Sequence, residues 1–161
     1  TFANEKLGWI TYTFRAPQGP DGQEGEVLGL SSYMRLPPEH GSAEVGSVVF
    51  SPKLQRTPAA TEAMYLMARH LFEDLGYRRY EWKCNANNKA SARAAERFGF
   101  SFEGTFRQDQ GVKGKNRDTL WFSMLDYEWP RVQAAFEAWL QPANFDGNGR
   151  QISALATLRA G

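Results

Sequence analysis

One stretch, residues 55–62, constrains the fold more than any other part of the chain. It reads Gln-Arg-Thr-Pro-Ala-Ala-Thr-Glu and lies between an apolar run at residues 45–50 and a long helical pattern at residues 60–75. Thr57 is a residue type that caps helix N-termini, and Pro58 suits the first helical position, where no N–H is needed. The stretch therefore predicts a strand, a short loop and a helix whose unpaired N–H groups face the space beyond the strand. A phosphate could bind there, although an ordinary strand-to-helix turn explains the same residues.

Length and composition indicate one globular domain. The chain has 161 residues, of which 42% are hydrophobic and 23% charged, enough to bury a substantial core. Its net charge of +1 does not favour a nucleic acid or an anionic membrane as a partner. A single cysteine, Cys84, cannot form an intrachain disulfide, so we expect a cytoplasmic protein. No apolar run approaches the roughly 20 residues that span a bilayer, so we also expect no membrane association.

Residue periodicity divides the chain into a mixture of strands and helices. The predicted strands are residues 9–14, 26–35, 43–50, 77–85, 100–106 and 118–125, and the predicted helices are residues 60–75, 91–98 and 130–140. Gly46 permits a bulge in the third strand, and the polar residues 108–117 are expected to form an exposed loop. We treat residues 1–161 as one domain, with a core at 1–127 and a C-terminal helix and tail at 128–161.

Two of these helices begin directly after a strand, at Thr57 and near Asn88. If strands 43–50 and 77–85 are adjacent and parallel, both helix starts lie at one edge of the sheet, where open α/β sheets bind ligands. Asn88 and Ser91 have the spacing of a helix cap and the residue that it caps, which explains the pair more simply than catalysis does.

An ordered set of short motifs resembles the GNAT superfamily of acyl-CoA N-acyltransferases. The motifs are residues 43–46 (Ala-Glu-Val-Gly), 55–60 (Gln-Arg-Thr-Pro-Ala-Ala), 60–63 (Ala-Thr-Glu-Ala), 87–91 (Asn-Asn-Lys-Ala-Ser) and 98–104 (Phe-Gly-Phe-Ser-Phe-Glu-Gly). The set is most similar to the branch that acetylates ribosomal proteins (RimJ/RimL-like), and it covers residues 26–129. The resemblance implies an α/β fold of the α+β type, with a mostly antiparallel sheet, one splayed parallel pair and flanking helices.

The sequence departs from the family pattern in two places. The family's phosphate loop reads Gln/Arg-x-x-Gly-x-Gly/Ala, and Gln55 and Ala60 fit its ends, but Pro58 replaces the first glycine and cannot donate an N–H. We therefore expect weakened CoA binding. The strand and helices that open GNAT domains are also missing from the start of the sequence, so we expect an incomplete acceptor pocket with exposed apolar surface.

The resemblance implies direct transfer of an acetyl group from acetyl-CoA to a primary amine, on a protein N-terminus or a small molecule, with no metal. Ser91 would donate a hydrogen bond to the leaving sulfur. Glu44 would accept the proton of the amine, directly or through water, although a strand-pairing carboxylate explains it equally well. The residues implied to bind CoA, mostly through their backbone N–H groups, are Val48, Val49, Phe50, Gln55, Arg56, Thr57, Ala59, Ala60, Thr61 and Asn88.

Other classes of function stay open. A non-catalytic GNAT-fold module that holds CoA, or no ligand, is favoured by Pro58 and by the missing opening segment. A nucleic-acid contact through the basic residues of 107–117 is explained more simply by a solvated hairpin loop, so we expect no nucleic-acid partner. The aromatic helix at 130–140 could serve the core or the interface of a homodimer.

Overall fold

The computed structural model describes residues 2–4 and 8–160. The strands are β1 (Phe2–Asn4), β2 (Trp9–Arg15), β3 (Val27–Met34), β4 (Ser42–Phe50), β5 (Arg79–Asn85), β6 (Ser101–Val112) and β7 (Lys115–Leu125). The helices are α1 (Pro58–Arg69), α2 (Lys89–Phe98), α3 (Trp129–Leu140) and α4 (Leu155–Ala160). Short 3-10 turns occupy Pro38–His40 and Pro142–Asn144, and a π-helical turn at His70–Asp74 extends α1.

The described strands form one sheet in the order β1-β2-β3-β4-β5-β7-β6. Neighbouring strands are antiparallel except β4 and β5, which run parallel from Ser42 opposite Arg79 to Val45 opposite Trp82. This confirms the predicted mixed sheet with one parallel pair. Beyond Val45 and Trp82 the described parts of the two strands no longer pair, although both continue for several residues. The sheet therefore splits at this point.

The four helices contribute to a single hydrophobic core on one face of the sheet. In β5, Tyr80, Trp82 and Cys84 alternate into this core, as the sequence predicts, and each is at most 5% exposed. The ring of Trp82 contacts Phe98 of α2, with centroids 6.2 Å apart. The intervening residues of β5 are charged and lie on the opposite face. None of the described helices has the length and apolar character needed to cross a bilayer.

Both predicted ends of α1 are confirmed. The Thr57 hydroxyl oxygen accepts a hydrogen bond from the backbone N–H of Ala60 at 3.2 Å, and Pro58 occupies the first turn. After the π-helical turn, Gly76 adopts a left-handed conformation with φ of 64°, which ends the helix without a Cβ clash.

The prediction of an exposed loop at residues 108–117 is wrong. β6 continues to Val112 and β7 begins at Lys115, so these residues form a long hairpin. Its two turn residues, Lys113 and Gly114, both have positive φ, which is the conformation of a type I′ turn. Both sides of this arm are exposed, so its sequence carries no alternation of apolar and polar residues that would reveal strands.

The helix α4 packs the C-terminal tail onto the rest of the fold. Leu155 is 2% exposed within the core, whereas Ile152 is exposed. The guanidinium of Arg159 donates hydrogen bonds to the backbone carbonyls of Glu96 and Arg97, each at 3.0 Å. The Glu96 carbonyl also accepts from the N–H of Gly99, so Arg159 adds a second donor there and supplies one to the Arg97 carbonyl at the C-terminus of α2.

Candidate active site

A β-bulge in β4 accompanies the split in the sheet. Ser32 lies opposite Gly46 and Leu30 opposite Val49, so Ser47 and Val48 face a single residue of β3. Ser47 has φ of 50°, an unfavourable conformation for a residue with a side chain. The bulge confirms the one predicted near Gly46, and it bends β4 away from β5.

A cleft of about 260 Å³ opens between the separated strands. Its walls come from the splayed part of β4, from β5, from the start of α2 and from β7. The lining residues are Val45, Gly46, Ser47, Val48, Trp82, Lys83, Cys84, Asn85, Asn88, Ser91 and Arg117. Because residues from both faces of β5 contribute, the cleft passes between the strands and can be approached from either face of the sheet.

The splayed end of β4 presents backbone donors to this cleft. The N–H of Ser51 donates to the Leu28 carbonyl of β3 at 2.8 Å. Since backbone N–H groups alternate in direction along a strand, the Val49 N–H also faces β3, where Leu30 lies opposite. The N–H groups of Val48 and Phe50 then face the other way, toward the gap. Of the three donors expected from the sequence, this alternation leaves the N–H groups of Val48 and Phe50 directed away from β3, and of these residues only Val48 lines the cleft.

Most of the backbone N–H groups at the start of α1 already donate to acceptors within the protein. The N–H of Thr57 donates to the Leu54 carbonyl at 3.3 Å, and the N–H of Ala60 donates to the Thr57 side chain. The N–H of Thr61 makes the first bond within the helix, to the Thr57 carbonyl. Three of the five N–H groups expected to face a diphosphate are therefore engaged by the protein.

Two of the expected donors remain at this helix start. Within the described chain, the N–H groups of Arg56 and Ala59 have no protein acceptor, and Pro58 between them has no N–H. Arg56 has φ of 61°. Gln55, expected to face the cofactor, instead donates from its side chain to the Phe50 carbonyl at 2.8 Å, which ties the loop to the end of β4. Neither the loop nor Gln55 lines the 260 Å³ cleft.

Asn88 and Ser91 meet at the start of α2, inside the cleft. The Asn88 side-chain oxygen accepts from the Ser91 N–H at 3.1 Å, so Asn88 caps the helix. The Ser91 hydroxyl oxygen accepts from the indole N–H of Trp82 at 3.0 Å. A hydroxyl can donate while it accepts, and the Ser91 hydroxyl has the Cys84 sulfur as a hydrogen-bond partner. Burial raises the pKa of the neighbouring Cys84 thiol, so this sulfur stays protonated and neutral.

Glu44 belongs to a charged network on the face without helices. It is only 4% exposed, and its Oε2 lies 2.8 Å from Nε of Arg35 and 3.2 Å from Nζ of Lys83. Neither cation is aligned for a hydrogen bond to this oxygen, so the contacts are ion pairs. Nζ of Lys83 also lies 2.7 Å from Oε2 of Glu81 and 3.7 Å from the centre of the Trp121 ring. Lys83 lines the cleft and Glu44 does not.

Sequence reasoning missed two cations of the cleft, Lys83 and Arg117. The alternation of β5 placed Lys83 on the charged face but assigned it no role. Arg117 was expected on a solvated loop. It lies in β7, which begins at Lys115, and this strand places it beside the cleft. Within the described chain, no three His, Cys, Asp or Glu side chains cluster closely enough to hold a metal ion.

Comparison with known proteins identifies the family. Residues 2–101, more than half of the chain, match the family described as "Acetyltransferase (GNAT) domain". Over 106 residues the chain is 27% identical to "Putative ribosomal N-acetyltransferase YdaF" of Bacillus subtilis strain 168, covering 66% of this chain and 57% of that protein.

Two crystal structures show the same fold at higher identity. A GCN5-related N-acetyltransferase from Brucella melitensis is 53% identical, with a TM-score of 0.83 over 84% of this chain and 62% of that one. A "probable acetyltransferases (GNAT family)" structure from Chromobacterium violaceum is 49% identical, with a TM-score of 0.68 over 74% of this chain and 58% of that one. The chain thus spans about three fifths of the length of these relatives. On the family match and these identities, the chain belongs to the GNAT family of acetyltransferases.

Proposed function

We propose that this protein transfers an acetyl group from acetyl-CoA directly to a primary amine. The observation that carries the proposal is the split of the parallel pair after Val45 and Trp82, which opens a cleft with backbone donors on one wall and a helix start at its edge. A protein amine is one acceptor class to test, because the Bacillus subtilis relative is named for ribosomal N-acetylation, as the RimJ/RimL-like motifs also suggest.

The residues present fit an acyl-CoA. The free N–H groups of Arg56 and Ala59, with the positive end of the α1 dipole, suit a diphosphate. The N–H groups of Val48 and Phe50 suit the amide oxygens of the pantetheine arm or the thioester carbonyl. Pro58 removes one further donor, so we expect binding that is weaker than a glycine at this position would allow.

In the proposed reaction, the neutral amine attacks the carbonyl carbon of the thioester. A C–N bond forms, the carbonyl oxygen gains negative charge, and the C–S bond then breaks to release CoA. Backbone N–H groups of β4 stabilise the oxyanion, and they need no reorganisation because the strand holds them in place. Ser91 turns its hydroxyl proton from the Cys84 sulfur to the leaving sulfur and stabilises it by a hydrogen bond. Cys84 is kept as a neutral thiol, which favours direct transfer over an acyl-cysteine intermediate.

In this proposal, Glu44 accepts the proton that the amine loses, through a bridging water. Glu44 lies between Arg35 and Lys83, next to the last residue pair before the cleft. A general base must reach its proton directly or through one water, and Glu44 does not line the cleft, so the relayed path is the one proposed. Replacing Glu44 by Gln should lower kcat by about 10²-fold.

The proposal is tested by two measurements on the same protein. Acetyl-CoA should raise the melting temperature, and mixing with a panel of primary amines should release free thiol. The missing donor at Pro58 favours a second candidate, a module that binds CoA without catalysis. Binding without thiol release from any amine would select that module, and the absence of both binding and release would overturn the GNAT-type site altogether.

A further inference from the structure

Three consecutive residues on one face of β7 each carry a polar atom that is buried and has no hydrogen-bond partner. These atoms are Nε of Arg117, Oγ1 of Thr119 and Nε1 of Trp121, and no partner for them exists within residues 2–4 and 8–160. Buried polar atoms in folded proteins are nearly always paired, so three orphans in one row call for an explanation. We name these three residues the β7 donor row.

The β7 donor row borders the cleft. Arg117 lines it directly. In the neighbouring strand, Lys83 lies opposite Trp121 and Asn85 lies opposite Thr119, and both of these β5 residues also line the cleft. Because Lys83 and Asn85 alternate with the core residues of β5, the row lies on the sheet face that carries no helices.

This face is the one from which an acceptor would reach the thioester. The helix α1, whose N-terminus offers the donors proposed for the CoA diphosphate, packs on the opposite face, and so does α2, which carries Ser91. With CoA held from that side, the amine must approach through the other opening of the cleft, past Lys83 and the β7 donor row.

The chemistry of the row selects oxygen acceptors. Nε of Arg117 and Nε1 of Trp121 are donors only, and a threonine hydroxyl can also donate. Three other cations of this face are paired, since Arg35 and Lys83 lie against Glu44, and Arg79 pairs with Glu103. Arg117 and Lys115 have no ion pair within the described chain, and of these two only Arg117 lines the cleft, so its guanidinium suits an anion supplied from outside.

We propose that the β7 donor row binds a carboxylate carried by the amine acceptor. The acceptors would then be amines with an acid group close by, such as an amino acid or a peptide whose second residue is acidic, rather than polyamines. This inference rests on the proposed acetyl transfer and names the substrate class of that same site.

The test compares matched acceptors in the full chain. Serine is compared with serinamide, and the peptide amide Ser-Glu-Ala with Ser-Gln-Ala, with 1,4-diaminobutane as a cation without an acid group. We expect kcat/KM to favour the acid member of at least one pair by tenfold or more. Arg117→Gln should remove that preference by lowering kcat/KM for the acid member much more than for the uncharged member, and Arg117→Lys should retain part of it. Arg107→Gln, an exposed arginine on the same hairpin, should behave as the wild type.

Each other outcome contradicts the inference in a distinguishable way. A wild type that acetylates both members of every pair equally would overturn it while leaving acetyl transfer intact. An Arg117→Gln variant with weaker acetyl-CoA binding by calorimetry, and equal losses for all acceptors, would assign Arg117 to CoA instead. If no amine is acetylated, the proposed acetyl transfer fails, and the carboxylate subsite is then tested by calorimetry in the presence of CoA. Binding of serine but not of serinamide would support the subsite. Equal binding of both compounds, or binding of neither, would overturn it.

Discussion

The ion pair between Arg79 and Glu103 links β5 to β6 across the intervening strand β7. The two guanidinium nitrogens of Arg79 donate to the two oxygens of Glu103 at 2.8 and 2.6 Å, and the Ser123 hydroxyl of β7 donates to the same carboxylate at 2.7 Å. Arg79 also donates to Glu81, the partner of Lys83. The pair therefore anchors one end of the charged network that reaches Lys83 in the cleft, and replacing Glu103 by Gln tests how much this anchor stabilises the fold.

The magnitude follows from the titration of Glu103. The Arg79 guanidinium, with the Ser123 hydroxyl, lowers the pKa of this carboxyl from near 4.5 to about 2. Taken in full, that difference corresponds to about 3 kcal/mol of stability at neutral pH. The Glu103 side chain is 40% exposed, however, so solvent screening reduces the expected contribution to about 1 kcal/mol.

The sign of the pH dependence is set by the lowered pKa. Glu103 is charged in both states above the unfolded-state pKa, and there the pair contributes its full stability. As pH falls from about 5 toward 2, the unfolded state takes up a proton before the folded state does, and the contribution is lost. We therefore expect Glu103→Gln to be about 1 kcal/mol less stable than the wild type between pH 5 and 7, with the difference shrinking toward pH 2.

Urea unfolding followed by tryptophan fluorescence at pH 7, 5, 4 and 3 measures this difference. Glu62→Gln provides the control, since Glu62 is an exposed carboxylate with no ion pair to any described residue. A Glu103→Gln variant as stable as the wild type at pH 7, or a difference that persists unchanged at pH 3, would refute the reasoning.

Three further predictions concern the candidate active site. Ser91→Ala should lower kcat about tenfold with little change in the KM for acetyl-CoA, because only the departing sulfur loses a hydrogen bond, and a rise in KM alone would contradict this. Cys84→Ala should keep most of the activity, and mass spectrometry should find no acyl-enzyme, whereas an acetylated Cys84 would contradict direct transfer. Pro58→Ala restores an N–H at the α1 start and should tighten acetyl-CoA binding several-fold by calorimetry, and unchanged affinity would show that the position does not face the ligand.

Local signals predicted the parts of the fold that depend on neighbours along the chain. Thr57 and Asn88 cap their helices as expected, and Gly76 ends the first one. Each of these features is made within a few residues, so the residue types carry the information. The alternation in β5 was equally readable, because one face is buried and the other is not.

The hairpin of β6 and β7 shows where such signals end. The residues of its outer part are polar on both faces of the hairpin. Backbone hydrogen bonds hold the two strands together, and such bonds do not depend on residue type, so composition does not reveal them. Because of the same wrong prediction, Arg117 was expected in a loop and not in the cleft. The very short β1 also went unpredicted, because its three residues are too few to show a period.

The sequence by itself determined the order of six of the seven described strands and of three of the four described α-helices, the starts of α1 and α2, and a set of motifs sufficient to indicate the family. Only the tertiary structure decided which backbone N–H groups are free. Those of Thr57, Ala60 and Thr61 donate to protein acceptors, and that of Val49 faces β3. It also decided that Lys83 stands between Glu44 and Glu81. The physical reason is that hydrogen-bond partners and ion pairs across a sheet are set by the register of strands far apart in the chain, which no local pattern specifies.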